Sequence, residues 1–202
     1  MRLAVTILVA LLLSVAGVAA GGLAAIYWLQ RPNADADVKV GAWHANLDAG
    51  SEGAGMFTRA RIALNGLLAL NRNETIYFAA TQDDAGNPLS GACHYEVTGM
   101  SPAARWWSIT LYGEDLFLVG NSANRFSFNQ ANLARDGSGV FHIVVANARQ
   151  EGDWLPAPAA PGKFILVLRL YNPDPALAQK PASLAAPSIR VRGECAPERG
   201  KS

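Results

Sequence analysis

The longest hydrophobic pattern in the chain is the uncharged run Leu3–Leu29, which only Thr6 and Ser14 interrupt as mildly polar residues. As a helix this run is about 40 Å long, enough to cross a hydrocarbon core of about 30 Å with some tilt. A signal peptide cut after Ala20 would leave a long apolar remainder, which secretion does not require. We therefore predict an uncleaved signal anchor over 1–31, with a cleaved peptide as the alternative. In both cases the rest of the chain is exported.

Two features of the anchor bear on its orientation and on its neighbours in the bilayer. Arg2 precedes the run on a short N-terminal stub, which favours a cytoplasmic N-terminus and places the C-terminal domain outside. Gly17 and Gly21 form a GxxxG pattern, which lets a second helix approach closely. The alternative is that small residues accumulate near a cleavage site.

The segment after the anchor lacks periodicity. Residues 32–54 contain Pro, Gly, Ala and Asp, a composition typical of a linker. Apolar residues then recur at helical spacing and predict one short helix at the start of a domain over 55–196, followed by a tail at 197–202. The apolar positions of this helix are Phe57, Ala60, Leu64, Leu67, Leu68 and Leu70.

Beyond this helix the hydrophobic period changes to two, which predicts β-strands. Turn residues separate most of them, as in DDAGNP at 83–88 and DGSG at 136–139. About eight short strands of this kind predict a mainly β fold, an antiparallel jelly-roll-like β-sandwich. The predicted strands are 75–81, 92–98, 105–112, 116–119, 125–128, 140–147, 163–171 and 188–193.

The strand predicted at 163–171 is apolar on both faces, and prolines bracket it on both sides. An apolar residue on both faces is typical of a central, covered strand. Because proline cannot donate to a ladder, the prolines are expected to end the pairing of this strand. Arg169 is the only charge within its FILVLRLY core.

The charge balance excludes some partners. The chain has 17 basic and 16 acidic side chains and a net charge of +1, with no basic stripe that would suit a nucleic acid. No motif suggests a cofactor.

The only two cysteines, Cys93 and Cys195, lie in the exported part, where a pair is more often a disulfide than two free thiols. Cys93 shares its strand phase with Tyr95, and Cys195 shares that of Ile189, so both sulfurs are expected on the core side. Two buried, reduced thiols are the alternative.

The segments FTRARIA, YFAATQDDAGNPLSGACHYEV, RWWSITLYG, NRFSFN, DGSGVFHIVVA, DWLPAP and FILVLRLYNP follow one another from about Met56 to Cys195. On these segments the sequence resembles the domain-of-unknown-function 1214 family, DUF1214, which is found mostly in bacterial exported proteins. The resemblance implies a jelly-roll β-sandwich. With the anchor, it implies a bacterial inner-membrane protein whose N-terminus is cytoplasmic and whose C-terminal domain is periplasmic. The family has no established catalytic residues to transfer.

Two departures from the family pattern are visible. Many members carry an upstream domain of unknown function 1254, where this chain has the membrane anchor. Members often have a tryptophan before a proline near the last strand, and here Ala185, Ala186 and Pro187 stand at that place. We expect the Cys93–Cys195 pair to replace the missing packing.

Candidates for catalysis or metal binding are few. Cys93 and His94 are adjacent in a predicted strand and point to opposite faces, so they cannot form a dyad. Ser138 lies in a hairpin turn rather than at a nucleophile elbow. His94, Glu96 and His142 share an outward phase but lack the spacing of metal ligands, and no metal site is predicted.

Aromatic and polar residues form the stronger candidate site, because a ring can stack on a sugar or peptide while polar groups orient it. We expect Trp106 to present an exposed ring. The alternative is that Trp107 and one other tryptophan pack in the core and that Asn121 and Arg125 organise turns. The candidate binding residues are Arg105, Trp106, Tyr112, Asn121, Arg125 and Trp154, with Tyr171 beside them.

The pattern as a whole favours a non-catalytic role. We expect a membrane-anchored envelope protein that acts as an accessory or binding module, docking on a membrane protein complex or on an envelope glycan. The alternative is an envelope enzyme acting on carbohydrate or lipid, with Asp83, Asp84 or Glu96 as acid or base. That enzyme would need two carboxylates about 5–10 Å apart in a pocket.

Overall fold

An N-terminal helix precedes a β-sheet body in the computed structural model, which describes residues 2–30, 37–64, 70–193 and 195–196. Helix α1 spans Arg2–Gln30 and is exposed along almost its whole length. Its stretch Arg2–Leu29 has a mean hydropathy of 2.6 and is long and apolar enough to cross a membrane. The predicted apolar N-terminal helix is therefore confirmed.

The described part of the body contains two further short α-helices, one 3-10 helix (Pro181–Ser183) and ten strands. Helix α2 is Met56–Leu64 and helix α3 is Pro175–Gln179. The strands are β1 (Asp37–Val40), β2 (Trp43–Asn46), β3 (Thr75–Ala80), β4 (Tyr95–Met100), β5 (Ala104–Gly113), β6 (Ser127–Asn129), β7 (Val140–Ala146), β8 (Trp154–Pro156), β9 (Phe164–Pro173) and β10 (Ser188–Val191).

These strands form two sheets. The large sheet has six strands in the order β1-β2-β3-β9-β5-β6, and the small sheet has four in the order β10-β4-β7-β8. All pairs are antiparallel except β7 with β8, which is parallel. The mainly β fold with two sheets and an N-terminal helix is confirmed. The finer jelly-roll connectivity stays a prediction.

One core lies between the sheets, because strands of both alternate buried and less buried positions. Trp107 of the large sheet packs on Phe141 of the small sheet with ring centres 5.0 Å apart, and Tyr95 meets Phe164 edge to face at 5.7 Å. Strand β9 lies between β3 and β5, as expected for a central strand. Its outward residues are only half-buried, however, so the expected cover on both faces is incomplete.

The predicted linker is partly wrong, because residues 37–46 form the first two strands of the large sheet. Trp43 is fully buried in the core, and its Nε1 donates a hydrogen bond to the carbonyl of Pro187 at 2.6 Å. Trp43 thus packs beside Pro187, where the Cys93–Cys195 pair was expected to replace the packing of a missing tryptophan. Strands of four residues are too short to show a clear period, which is why the sequence pattern missed them. Residues 32–36 of the linker lie outside the described residues.

Two other local predictions change, and the predicted soluble helix is found. Residues 116–119 form no strand, because Leu116 has φ 65° within a turn that the Leu116 N–H and the Gly113 carbonyl close at 3.0 Å. Strand β8 was missed because it has three residues and includes Pro156. The predicted helix is present as α2, while Leu67 and Leu68 lie outside the described residues, as does the tail 197–202.

The disulfide between Cys93 and Cys195 is present and joins residues 102 positions apart. The expected core location is wrong for Cys195, which is exposed, whereas Cys93 is half-buried and packs against the core. The physical reason is that β10 ends at Val191 and Gly193 turns the chain with φ 80°, so the alternation of the strand does not extend to Cys195. The bridge ties the chain beyond β10 to the segment that enters β4.

Candidate functional site

The six predicted binding residues separate into two groups and an isolated arginine. Trp106 and Tyr112 lie on β5 and point away from the core, on the outer face of the large sheet. Arg105 neighbours Trp106 but takes the opposite phase of the strand, at its exposed end. Trp106 is 39% exposed, which confirms the expectation of an accessible ring.

Asn121, Arg125 and Trp154 form the second group, and their contacts organise loops. The Asn121 amide donates to the Arg125 carbonyl at 2.9 Å, and the Arg125 N–H donates to Asn121 Oδ1 at 3.1 Å. Arg125 Nη1 also donates to the Trp154 carbonyl at 3.1 Å. Trp154 is buried and its Nε1 donates to the Ala146 carbonyl at 2.9 Å. This geometry supports the alternative in which these residues hold turns.

The outer face of the large sheet gathers a different set of side chains around the centre of β9. We call it the sheet-face cluster. Its members come from three neighbouring strands and all point away from the core. They are Tyr77 of β3, Trp106, Thr110 and Tyr112 of β5, and Arg169 and Tyr171 of β9.

Strand register brings the sheet-face cluster together. Arg169 pairs directly with Ser108 on one side and with Tyr77 on the other, and Tyr171 pairs with Trp106. Outward residues two positions apart along a strand lie about 7 Å apart on the same face. Long side chains bridge that distance, so residues from distant parts of the sequence meet at Arg169.

Arg169 is the centre of these contacts. Its Nη1 donates to the Thr110 hydroxyl at 3.0 Å, and its Nη2 donates to the Tyr112 hydroxyl at 2.6 Å. The guanidinium carbon lies 5.2 Å from the centre of the Tyr112 ring and 6.0 Å from that of Tyr77, within range of cation–π attraction. Two hydrogen bonds and two rings therefore hold the guanidinium in one orientation on the face.

Among its described members, the sheet-face cluster has one cation, Arg169, and no carboxylate. In the part of the chain that the structure describes, Arg169 takes part in no ion pair with a carboxylate. The pKa of Tyr77 is raised from its ordinary value by burial and by the neighbouring Tyr171 phenol, while Arg169 acts in the opposite direction. The Tyr77 phenol therefore stays protonated at neutral pH.

Sequence reasoning noted Arg169 as a lone charge but did not assign it to the site, and it missed Tyr77 altogether. The usable signal was the arginine itself, because a single charge in an apolar central strand must face outward or find a partner. No comparable signal marked Tyr77, since its role depends only on the pairing of β3 with β9.

The carboxylates proposed for an enzyme have separate structural contacts. Asp83 is buried and accepts hydrogen bonds from the N–H groups of Ala85 at 2.9 Å and Asn87 at 2.8 Å, which closes the turn after β3. Asp84 accepts from the Ile189 N–H at 3.0 Å and so holds β10. These contacts favour structural roles for both aspartates.

Glu96 lies on the outer face of the small sheet beside His142. Its Oε1 is 3.4 Å from His142 Nδ1, while Asp136 Oδ2 is 3.5 Å from His142 Nε2. The pKa of Asp136 is lowered to about 2, chiefly by the Ser138 hydroxyl and then by the Val140 and Ser138 N–H groups. The two carboxylates approach different nitrogens of one ring, so they do not converge on a common point. Within the described ranges, no cluster of three such side chains could hold a metal ion.

Gly17 and Gly21 lie one helical turn apart on α1. A Cβ atom added at either glycine would meet nothing within 4 Å, so the small-residue face is open to a partner helix.

Comparisons with solved structures show the fold. A crystal structure of the VPA0106 protein from Vibrio parahaemolyticus aligns with a TM-score of 0.59 and 24% identity, over 70% of this chain and 36% of that one. An uncharacterized protein from Burkholderia cenocepacia aligns with a TM-score of 0.40 and 14% identity, over 86% of this chain and 41% of that one. The chain thus spans less than half the length of either structure.

The sequence itself places the chain in a family. No curated protein matches it. Residues 74–175, which run from the start of β3 to the start of α3, match the model described as protein of unknown function (DUF1214), and the chain belongs to this family.

Proposed function

We propose that this protein is a membrane-tethered, non-catalytic binding module of the bacterial envelope, and that its ligand surface is the sheet-face cluster. The observation that carries the proposal is the outward set of rings and hydroxyls around Arg169 on β9. A sheet face that had only to meet water would not need a central arginine held between two phenol rings.

An envelope glycan is the ligand class that this surface suits best. Trp106 and Tyr171 are cross-strand neighbours whose rings can stack on the apolar face of a sugar. The Tyr112 hydroxyl and the remaining Arg169 donors can orient the sugar hydroxyls. The buried and loop-holding contacts of Asp83 and Asp84 lend no support to the alternative of a carbohydrate- or lipid-active enzyme.

Helix α1 and the disulfide support the cellular location that we propose. An exposed apolar helix of this length is compatible with a signal anchor. A disulfide persists in an oxidising compartment, which for an anchored bacterial protein is the periplasm. We therefore propose a cytoplasmic N-terminus and a jelly-roll-like two-sheet body in the periplasm. The open face at Gly17 and Gly21 additionally favours docking on a membrane protein complex through α1.

Glycan binding by the full-length chain in nanodiscs tests the proposal. An array of envelope polysaccharide fragments would identify binders, and titration calorimetry would measure their Kd. Trp106→Ala should weaken binding about fivefold, since a stacked ring contributes about 1 kcal/mol. Arg105→Ala is the matched control, because Arg105 takes the opposite phase of the same strand. If no fragment binds, or if Arg105→Ala weakens binding as much as Trp106→Ala, the sheet face is not a glycan site.

Substitutions in α1 test the proposed docking on a membrane protein complex. Gly17→Ile and Gly21→Ile place branched side chains on the open face and should remove any partner that co-purifies with the wild-type chain in mild detergent. Ala19→Ile is the control, because Ala19 lies on the opposite face of α1 from Gly17 and Gly21. A partner that is retained by both glycine variants would exclude docking through this face.

A further inference from the structure

Arg169 is a half-buried cation with no carboxylate among the described side chains of its own strand and the neighbouring strands. The outward positions of β2, β3, β5, β6 and β9 contain no aspartate or glutamate. Taking a charge partly out of water is unfavourable unless an opposite charge or several hydrogen bonds compensate it. The neutral hydroxyls of Thr110 and Tyr112 compensate it only in part.

The guanidinium also has donors to spare. An arginine has five N–H groups in a fixed planar arrangement, which suits a carboxylate or phosphate with two parallel hydrogen bonds. Its hydrogen bonds to described residues are one to Thr110 and one to Tyr112, which leaves three N–H groups without a protein acceptor in those ranges. Since Thr110 and Tyr112 already fix the plane of the group, binding an anion would cost little further ordering.

At the β1 side of the sheet the described side chains add one further cation, Lys39. Lys39 of β1 and His44 of β2 pair with each other in outward positions at the β1 side of the sheet, and both are exposed. The chain as a whole has a net charge of only +1, so attraction of an anion would be local to this face rather than general.

From these observations we propose that the sheet-face cluster binds an anionic sugar, with its carboxylate or phosphate on Arg169 and its ring on Trp106 and Tyr171. The inference rests on the proposed function and names the ligand class of that same surface. Trp106–Tyr171 and Ser108–Arg169 are successive outward pairs on β5 and β9. They are about 7 Å apart, which one acidic sugar residue can span.

Titration calorimetry on the full-length chain in nanodiscs of neutral lipid tests the ligand class. Three probes of equal length are compared: an oligogalacturonate, a phosphorylated oligosaccharide and a neutral oligogalactose. The anionic probe whose group fits Arg169 should bind at least tenfold more tightly than the neutral one. That preference should decline as salt increases, because added ions screen the attraction. The ranking of the carboxylated and phosphorylated probes identifies which anion is preferred.

Variants then test whether Arg169 causes the preference for the anionic probe. Arg169→Met should reduce it to within twofold, and Arg169→Lys should retain part of it, since lysine keeps the charge without the two parallel donors. Arg190→Met is the matched control, because Arg190 is an exposed strand arginine on the outer side of the small sheet. It should leave the preference unchanged.

The outcomes separate this inference from the proposed function. Equal affinity for all three probes in the wild-type chain, with loss in Trp106→Ala, would overturn the anionic ligand and leave the glycan module standing. This comparison needs no variant at Arg169 to fold. An equal loss of preference in Arg190→Met and Arg169→Met would also overturn the inference, since only net charge would then matter. Absence of binding to every sugar overturns both.

Discussion

Replacement of Trp43 by alanine tests whether residues 37–46 belong to the folded body or only tether it. The indole is fully buried between the sheets and its Nε1 donates to the Pro187 carbonyl at 2.6 Å. A buried tryptophan replaced by alanine costs about 3–5 kcal/mol through lost burial and the cavity left behind. The buried Pro187 carbonyl also loses its donor, which costs a further 1–3 kcal/mol or so. We therefore expect a loss of about 5 kcal/mol, against a total stability of about 5–15 kcal/mol for a domain.

Urea unfolding of the full-length chain in detergent, followed by far-UV circular dichroism, measures this loss. Fluorescence is unsuitable, because the substitution removes one of the five tryptophans that report on unfolding. With a denaturant slope of about 2 kcal/mol per molar, the midpoint should fall by about 2.5 M. Trp43→Phe keeps an aromatic ring but not the hydrogen bond, and should lose about 2 kcal/mol.

Trp106→Ala is the matched control, since it removes the same side chain from a position that is 39% exposed. It should change the free energy of unfolding by less than about 1 kcal/mol, as for most surface substitutions. If Trp43→Ala and Trp106→Ala shift the midpoint equally, β1 and β2 do not belong to the cooperative unit, and the linker interpretation is restored.

Three further changes test the body and its turns. Cys93→Ala with Cys195→Ala should lower the free energy of unfolding by about 4–5 kcal/mol, because the bridge closes a loop of 102 positions; an unchanged urea midpoint would contradict this. Gly91→Ala should prevent folding or lower the melting temperature strongly, because a Cβ there would lie 1.9 Å from the Pro158 carbonyl oxygen; a wild-type melting temperature would contradict the close approach. Asp136 has a pKa lowered from 3.8 to about 2, so its contribution to stability is complete above pH 4 or so and is lost as pH falls toward 2. Asp136→Asn should therefore flatten the stability profile between pH 4 and 2, and an identical acid profile would contradict the assignment.

The sequence alone determined the features whose physical causes are local. The uncharged run Leu3–Leu29 predicted a long apolar helix because composition and length suffice for that inference. The period of two predicted most strands of both sheets, since alternate residues of a strand face opposite sides. The cysteine pair predicted the disulfide, but not that Cys195 lies outside the core, because a single turn at Gly193 breaks the alternation.

Only the tertiary structure decided which strands are neighbours, and with that the composition of the candidate site. Arg169 bonds Tyr112 across 57 positions of sequence, and Trp43 bonds Pro187 across 144. No local pattern encodes such pairs, because strand order and register depend on how all the apolar faces fill one core together. For the same reason the predicted binding residues were divided between a loop and a sheet face, and the sheet-face cluster formed around an arginine that the sequence marked only as a lone charge.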